Sequence, residues 1–326
     1  MLSSTLEVFA HALQWLEQKQ YVVLVTVVKT KGATPRTVGA ILAVREDGSM
    51  VGSVSGGCVE ADIASQVQAK AFKHPTILNY GITHEQSQQI GLLCGGELSL
   101  LVEPLTSLEQ IKPAVVALEQ RQLIRRQVNL TNGEVKWTIG TGETGGYDDD
   151  HQFYYEYGPV WRLLLIGAGQ TASYIAQWAL ALDYQVIIGD PRPEYAIHWS
   201  VKDAQLDHRM PDDAVKAWIR DSRSAVVTLT HDPKLDDLAL MEALVSPAFY
   251  IGALGSKITN ENRRQRLLEL GITATDLQRL YAPVGFPIGS RSPPEIAIAI
   301  LAEMTAVRNR VYHGNFISRR SESALR

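Results

Sequence analysis

The spacing of apolar residues changes character along the chain. Leu6, Phe9, Leu13 and Leu16 recur at helical spacing and predict an opening helix. Residues 21–30 are rich in valine and predict a strand, ended by Lys31-Gly32-Ala33-Thr34-Pro35-Arg36. A strand-like segment over 40–51 leads into Gly52-Ser53-Val54-Ser55-Gly56-Gly57-Cys58-Val59-Glu60. Beyond it Val59, Ile63 and Val67 predict a helix to about residue 72. Residues 76–80 and 98–103 read as strands, 113–122 as a helix, and 123–139 as a hairpin broken at Thr131-Asn132-Gly133. Residues 141–150 read as a polar surface loop, and Phe153, Tyr154, Tyr155 and Tyr157 as a packed edge strand.

After Gly158-Pro159 the pattern becomes that of an alternating α/β domain. Residues 160–166 form a continuous apolar run, followed by Gly167-Ala168-Gly169-Gln170-Thr171-Ala172, a helix to about 182, and a strand over 184–188 that ends at Asp190. This is a strand, a G-x-G-x-x-A turn, a helix, a strand and an acid 23 residues after the first glycine, the fingerprint of a Rossmann unit. Strands over 225–230 and 249–252 alternate with helices over 236–245 and 259–270, and a last helix opens at Pro293 or Pro294 and runs to about 309. The expected fold class is α/β: an N-terminal α+β domain over 1–158, a doubly wound parallel sheet over 159–312, and a mobile tail over 313–326.

Composition narrows the function. Lys plus Arg is 31 against 35 Asp plus Glu, a net charge of −4, which gives no electrostatic case for nucleic acid or an anionic membrane. No apolar run approaches membrane-spanning length, 161–169 being the kind of short run that makes a buried strand, and the first twenty residues lack a signal-peptide pattern. Two cysteines in 326 residues fit a reducing cytoplasm. Cys58 and Cys94 lie 36 residues apart with no nearby His pair, which is not zinc-finger spacing.

The candidate chemistry lies in loops. Glycines admit a ligand to the backbone, a helix N-terminus attracts anions, and a thiol there becomes a better nucleophile or soft ligand. Ser53, Ser55, Gly56, Gly57, Cys58 and Glu60 therefore form a candidate site for a small anion beside a cysteine; the alternative is a tight turn with a packed cysteine. Glu60 opposes activation of the thiol unless it points toward solvent or a cation such as Arg36. Arg36 is otherwise a solvated turn residue. Cys94, Gly95 and Gly96 are a second segment from which a pocket can be built. In the second half the strand ends supply Gly167, Gly169 and Gln170, then Asp190, then His231 and Asp232, then Gly252, Gly255 and Ser256, with Arg291 in the last loop. His231 suits a general base or hydrogen-bond donor, or else a helix-capping turn with Asp232. Arg263, Arg264 and Arg266 read as a solvated helix face.

Taken together, the Gly52–Glu60 loop, residues 91–96, the Gly167 fingerprint, Leu229-Thr230-His231-Asp232-Pro233-Lys234, Tyr250-Ile251-Gly252-Ala253-Leu254-Gly255-Ser256 and residues 289–295 resemble the XdhC/CoxI family, from about residue 26 to about 308. The resemblance implies accessory proteins, not enzymes. They bind molybdenum cofactor, protect it while a cysteine desulfurase exchanges an oxo ligand for sulfur, and insert it into apo xanthine dehydrogenase. The aromatic run Phe153 to Tyr157 and the resemblance together suggest a homodimer; the loop residues above are the expected cofactor contacts, and the thiolate of Cys58, at the start of a helix, is expected against the molybdenum or its incoming sulfur. Glycine turns suit the cofactor's phosphate and thiolates suit its metal. The competing reading is an NAD(P)-dependent oxidoreductase using Gly167, Gly169 and Asp190 with His231 as acid–base. It leaves both Gly-Gly/Cys loops unexplained, and Pro191-Arg192 after the acid weakens it. A third reading is a regulatory module that senses a nucleotide.

Overall fold

The computed structural model describes residues 4–32, 34, 36–57, 59–81, 96–142, 145–149, 151–197 and 199–311. The chain divides into two compact units, Met1–Pro159 and Val160–Arg326.

The first unit contains helix α1 (Ser4–Glu17), strands β1 (Val22–Lys31), β2 (Ile41–Arg45) and β3 (Met50–Gly52), helix α2 (Glu60–Gln68), and strands β4 (Thr76–Tyr80) and β5 (Glu97–Leu105). Helix α3 (Lys112–Glu119) and strands β6 (Ile124–Asn129), β7 (Val135–Ile139), β8 (Gly146–Asp149) and β9 (Gln152–Tyr157) complete it. Two antiparallel sheets result, ordered β3-β2-β1-β5-β4 and β7-β6-β9-β8. Strand β1 is central, with its first seven residues buried, because both its faces are covered. Side chains alternate across a strand. Val22 and Leu24 accordingly pack with Phe9 and Trp15 of α1 and with Leu118 of α3, whereas Val23, Val25 and Val27 pack with Ile63 and Val67 of α2. The valine-rich run thus gains from burial on both sides. A buried, bidentate Arg126–Glu103 pair, at 2.9 and 3.0 Å, ties β6 of one sheet to β5 of the other.

Three expectations are corrected here. The strand over 40–51 is a hairpin: Glu46-Asp47-Gly48-Ser49 turns the chain, with Gly48 at φ +89°, and Val44 pairs with Met50. The helix after the loop stops at Gln68, and Phe72 packs into the core from beyond its end. The aromatic run is an interior strand, not an edge, since β9 lies between β6 and β8, and β8 occupies part of the expected polar loop. Phe153 and Tyr157 are buried, and the Tyr155 ring lies where a Cβ on Gly39 would be, 2.0 Å away. Phe153 and Tyr157 are thus used inside the unit, and Tyr154 and Tyr155 are half-buried.

The second unit runs β10 (Arg162–Ile166), α4 (Gln170–Ala181), β11 (Gln185–Gly189), α5 (Pro193–Ala196), β12 (Gln205–Asp207), α6 (Pro211–Trp218), β13 (Ser224–Thr228), α7 (Pro233–Val245), β14 (Tyr250–Ala253), α8 (Lys257–Glu269), α9 (Ala274–Leu277), β15 (Leu280–Tyr281) and α10 (Pro293–Arg308). Its six strands are parallel, in the order β12-β11-β10-β13-β14-β15. Counted within the unit this is 3-2-1-4-5-6, the doubly wound order, and the expected fold class holds. Helices α4 and α10 cover one face; α6, α7 and α8 cover the other. Every residue of β10 is buried, as a strand covered on both faces requires. The winding reverses between β10 and β13, so the crevice at their carboxyl ends is where such sheets bind ligands.

Candidate functional site

The loop between β3 and α2 is built around one carboxylate. Gly52 has φ +95°, and a Cβ there would lie 2.4 Å from the Ile41 carbonyl oxygen, so only glycine lets the chain leave the strand this way. The loop then curls round Glu60, which is 7% exposed. Its Oε1 accepts from the Ser53 hydroxyl at 2.9 Å and from the N–H groups of Val54 and Ser55 at 3.1 and 2.9 Å. Its Oε2 accepts from the Gly57 and Val59 N–H groups at 3.0 and 3.2 Å and from the Ser55 hydroxyl. The Gly56 N–H goes to the Ser53 hydroxyl at 3.0 Å, and Arg36 reaches that same hydroxyl through Nε at 3.4 Å. Burial pushes the Glu60 carboxyl up, but the donors from Ser55 and Ser53 outweigh it and bring it down to about 2.

The condition set for activating the neighbouring thiol, that Glu60 point toward solvent or Arg36, is not met: the carboxylate points into its own loop. A concave run of N–H groups attracts the nearest anion, and here the chain supplies its own. Gly56 and Gly57 are exposed, and a Cβ on Gly57 would meet nothing within 4 Å among the described residues. Cys58, Cys94 and Gly95 lie outside the described residues; Gly96 is buried at the entry to β5.

In the second unit the strand ends gather the other candidates. Gly167, at φ +109°, brings the turn against the end of β13, where a Cβ would lie 3.1 Å from the Thr230 side chain. Gly169 is the N-cap of α4, and no side chain caps it. Asp190 accepts from the Ala168 N–H at 2.9 Å and from Arg192, through its N–H, Nε and Nη2, at 3.1, 2.9 and 2.9 Å. Burial raises its pKa, yet these bonds, Arg192 foremost, hold it below the ordinary carboxylate range. Both of its oxygens are therefore engaged inside the fold.

His231 is exposed, at φ +59°, and Asp232 is the N-cap of α7, accepting from the Lys234 N–H at 2.9 Å. This is the capping turn that the sequence offered as the alternative to acid–base work. Ser256 caps α8 through the Thr259 N–H at 3.1 Å, beside Gly255 at φ +147°. Gly252 lies within β14 and not at its end; a Cβ there would be 2.5 Å from Val284, so close packing accounts for this glycine. Arg291 is exposed just ahead of α10, its N–H donating to Glu295 at 2.8 Å.

The arginines of α8 are not a solvated face. Arg263, 3% exposed, donates to Asp236 at 2.9 Å and to the Leu254 carbonyl at 3.1 Å; it also bonds Asn260, whose amide reaches the Gly255 carbonyl at 3.0 Å. Asp236 in turn accepts from the Thr230 N–H and hydroxyl at 3.2 and 2.7 Å. One buried network thereby fixes two strand-end loops. Arg266 pairs with Asp237, and Arg264 donates to the Leu277 and Leu280 carbonyls. The sequence reading missed this network because Asp236 and Arg263 are 27 residues apart.

Among the described residues no group of three or more His, Cys, Asp and Glu could hold a metal, and no helix is long and apolar enough to cross a membrane. The geometry defines a two-unit protein that presents glycine turns at strand ends: an α+β unit with a glycine–serine loop, and a Rossmann unit. The chain belongs to the XdhC and CoxI family. The model of that family matches residues 15–81, and that of the XdhC Rossmann domain matches 163–304. Molybdenum cofactor insertion chaperone PaoD of Escherichia coli (strain K12) is 30% identical over 302 residues, 88% of this chain and 83% of its own. A probable xanthine dehydrogenase subunit of Bacillus subtilis (strain 168) is 27% identical over 91% of this chain and 96% of its own. A crystal structure described as a xanthine dehydrogenase from Bacillus halodurans matches with a TM-score of 0.72 and 25% identity, over 97% of this chain and 98% of its own. These relatives carry the names of a chaperone and of a dehydrogenase component, and this chain is an accessory protein rather than an independent enzyme.

Proposed function

We propose that this protein carries molybdenum cofactor to a xanthine dehydrogenase or related molybdenum hydroxylase. It binds the cofactor, shields it while a cysteine desulfurase replaces an oxo ligand by sulfur, and inserts it into the apo-enzyme. It works in the cytoplasm, as a homodimer. The observation that carries this reading is a family likeness spanning both units and taking in both the Gly52–Glu60 loop and the Gly167 turn, with a cofactor-insertion chaperone among the relatives. Cys58 stands in the chain between Gly57 and Val59 of that loop, and a soft sulfur is a suitable ligand for molybdenum.

The oxidoreductase reading is disfavoured by two placements. A dinucleotide's ribose would need the Asp190 carboxylate, which Ala168 and Arg192 occupy. His231 is exposed in a capping turn. The test is to purify the protein from cells that make the cofactor, record the absorbance and mass of bound pterin, and transfer it to apo xanthine dehydrogenase. Bound pterin and restored dehydrogenase activity are expected. Micromolar NAD binding with no uptake of cofactor from a donor would sink the proposal. Light scattering at working concentration tests the dimer, and a monomer would overturn that part.

A further inference from the structure

Two neighbouring strands of the Rossmann unit end in the same device. β11 runs into Asp190-Pro191-Arg192, and β12 into Asp207-His208-Arg209. Each aspartate accepts the N–H two residues on and grips the guanidinium of that residue through Nε and Nη2. They differ in the remaining donor. Asp207 takes the Trp218 indole N–H at 2.6 Å, which is structural. Asp190 takes the Ala168 N–H at 2.9 Å, which fastens the Asp190–Arg192 pair to the glycine turn.

Asp190 accepts two donors on each oxygen, and a carboxylate has about four acceptor sites, so none is left for a ligand. A ribose diol arriving here finds no acceptor. Arg192 is different. Asp190 holds one edge of its guanidinium, the Tyr195 ring lies 3.9 Å from its central carbon, and its Nη1 has no partner among the described residues. The side chain is 23% exposed, so part of it is open to solvent. Beside it, α4 begins without a side-chain cap and without an acid in its first turn. Glu194 adds a negative charge near Arg192, but the guanidinium edge and the helix start are donors, which select an anion, and a planar guanidinium suits phosphate in particular.

We propose that Arg192 forms a phosphomonoester subsite beside the Gly167–Gly169 turn, with Asp190 as its orienting residue rather than a ligand contact. Assigning this phosphate to the carried pterin rests on the function proposed above; the subsite itself does not. Two sources share the chemistry: the terminal phosphate of the pterin and the 2′-phosphate of a dinucleotide.

Calorimetry would use molybdenum cofactor released from a donor molybdoenzyme, intact and after enzymatic removal of its phosphate, together with NADP⁺ and NAD⁺. The proteins are the wild type, Arg192→Gln and Arg209→Gln. Intact cofactor should bind the wild type at least tenfold more tightly than dephosphorylated cofactor, and Arg192→Gln should erase that difference. Arg209→Gln, one strand away, should leave it standing. If NADP⁺ alone shows the preference and loses it in Arg192→Gln, the subsite stands and the cofactor-carrier reading falls. Equal binding of phosphorylated and dephosphorylated ligands by the wild type, which needs no variant to fold, overturns the subsite. So does an equal loss in both variants, because that would be general charge and not a site.

Discussion

The two glycine turns look alike in sequence, yet their carboxylates do opposite things. In the first unit Glu60 gathers four backbone N–H groups and two hydroxyls and closes the loop on itself. In the second, Asp190 takes a single turn N–H and uses its remaining capacity to orient Arg192. One acid consumes the donors of its loop; the other aims a donor outward. A glycine turn before a helix therefore does not by itself make an open anion site. What decides is where the nearest carboxylate of the chain falls.

The largest test of this contrast is on stability. Arg263→Met leaves Asp236 buried without its cation, against a background in which burial already raises the Asp236 pKa. Breaking one partner of such a pair costs about 3–5 kcal/mol, so the urea midpoint should fall steeply, and cofactor binding should fall with it because two strand-end loops lose their tie. An unchanged midpoint would mean the network is ornamental. Glu60→Gln should cost less, about 2 kcal/mol, since the amide keeps one acceptor oxygen and turns an NH₂ toward the other donors. If Glu60→Gln proves neutral, the loop is not held as described and the contrast with Asp190 fails.

Much of the fold was legible because it rests on local signals. The five buried residues of β10 and the G-x-G-x-x-A turn identify the Rossmann unit without any long-range information. The hairpin at Asp47-Gly48 carried its own turn signal inside an apolar run, and the run concealed it. The candidate loops were legible as places but not as arrangements. Glu60 could be named from the sequence, but its direction follows from how the loop N–H groups curve, which spacing does not encode. Arg263 and Arg266 read as surface because nothing local distinguishes an arginine paired with an aspartate one helix earlier from one in water. Arg192 was noticed only as a blemish after the acid.

Acid should separate the two kinds of carboxylate less than substitution does. Burial raises the Asp207 carboxyl, but the Arg209 guanidinium and N–H and the Trp218 indole outweigh it and leave the pKa at about 2. A carboxyl lower in the folded than in the unfolded chain contributes stability above the unfolded value and loses it as pH falls through the folded one. The unfolded value is about 3.9. The contribution of Asp207 should thus be intact at neutral pH and disappear between about pH 4 and pH 2. Comparing acid melts of the wild type and Asp207→Asn isolates it: the curves should converge below that window. A constant gap between them at every pH would show that the residue acts by packing alone.

The smallest expected effect on stability, and the sharpest on function, belongs to Cys58→Ser. Serine keeps the size and the hydrogen-bonding capacity of cysteine but removes the soft ligand. The Gly57 and Val59 N–H groups on either side of Cys58 in the chain both donate to Glu60 Oε2. The loop's own anion therefore holds the backbone on both sides of Cys58. Melting without cofactor should be unchanged within about 0.5 kcal/mol, since serine matches cysteine in size. Cofactor retention and activation of the apo-dehydrogenase should be lost. Cys94→Ser should do less, because Cys94 precedes a strand and not a helix. Should Cys58→Ser melt several degrees lower with retention intact, the cysteine is a packing residue and the first unit contributes shape rather than a ligand. Should both properties stay at wild-type levels, the Gly52–Glu60 loop is not the metal side of the site, and the Rossmann unit with Arg192 must hold the cargo without it.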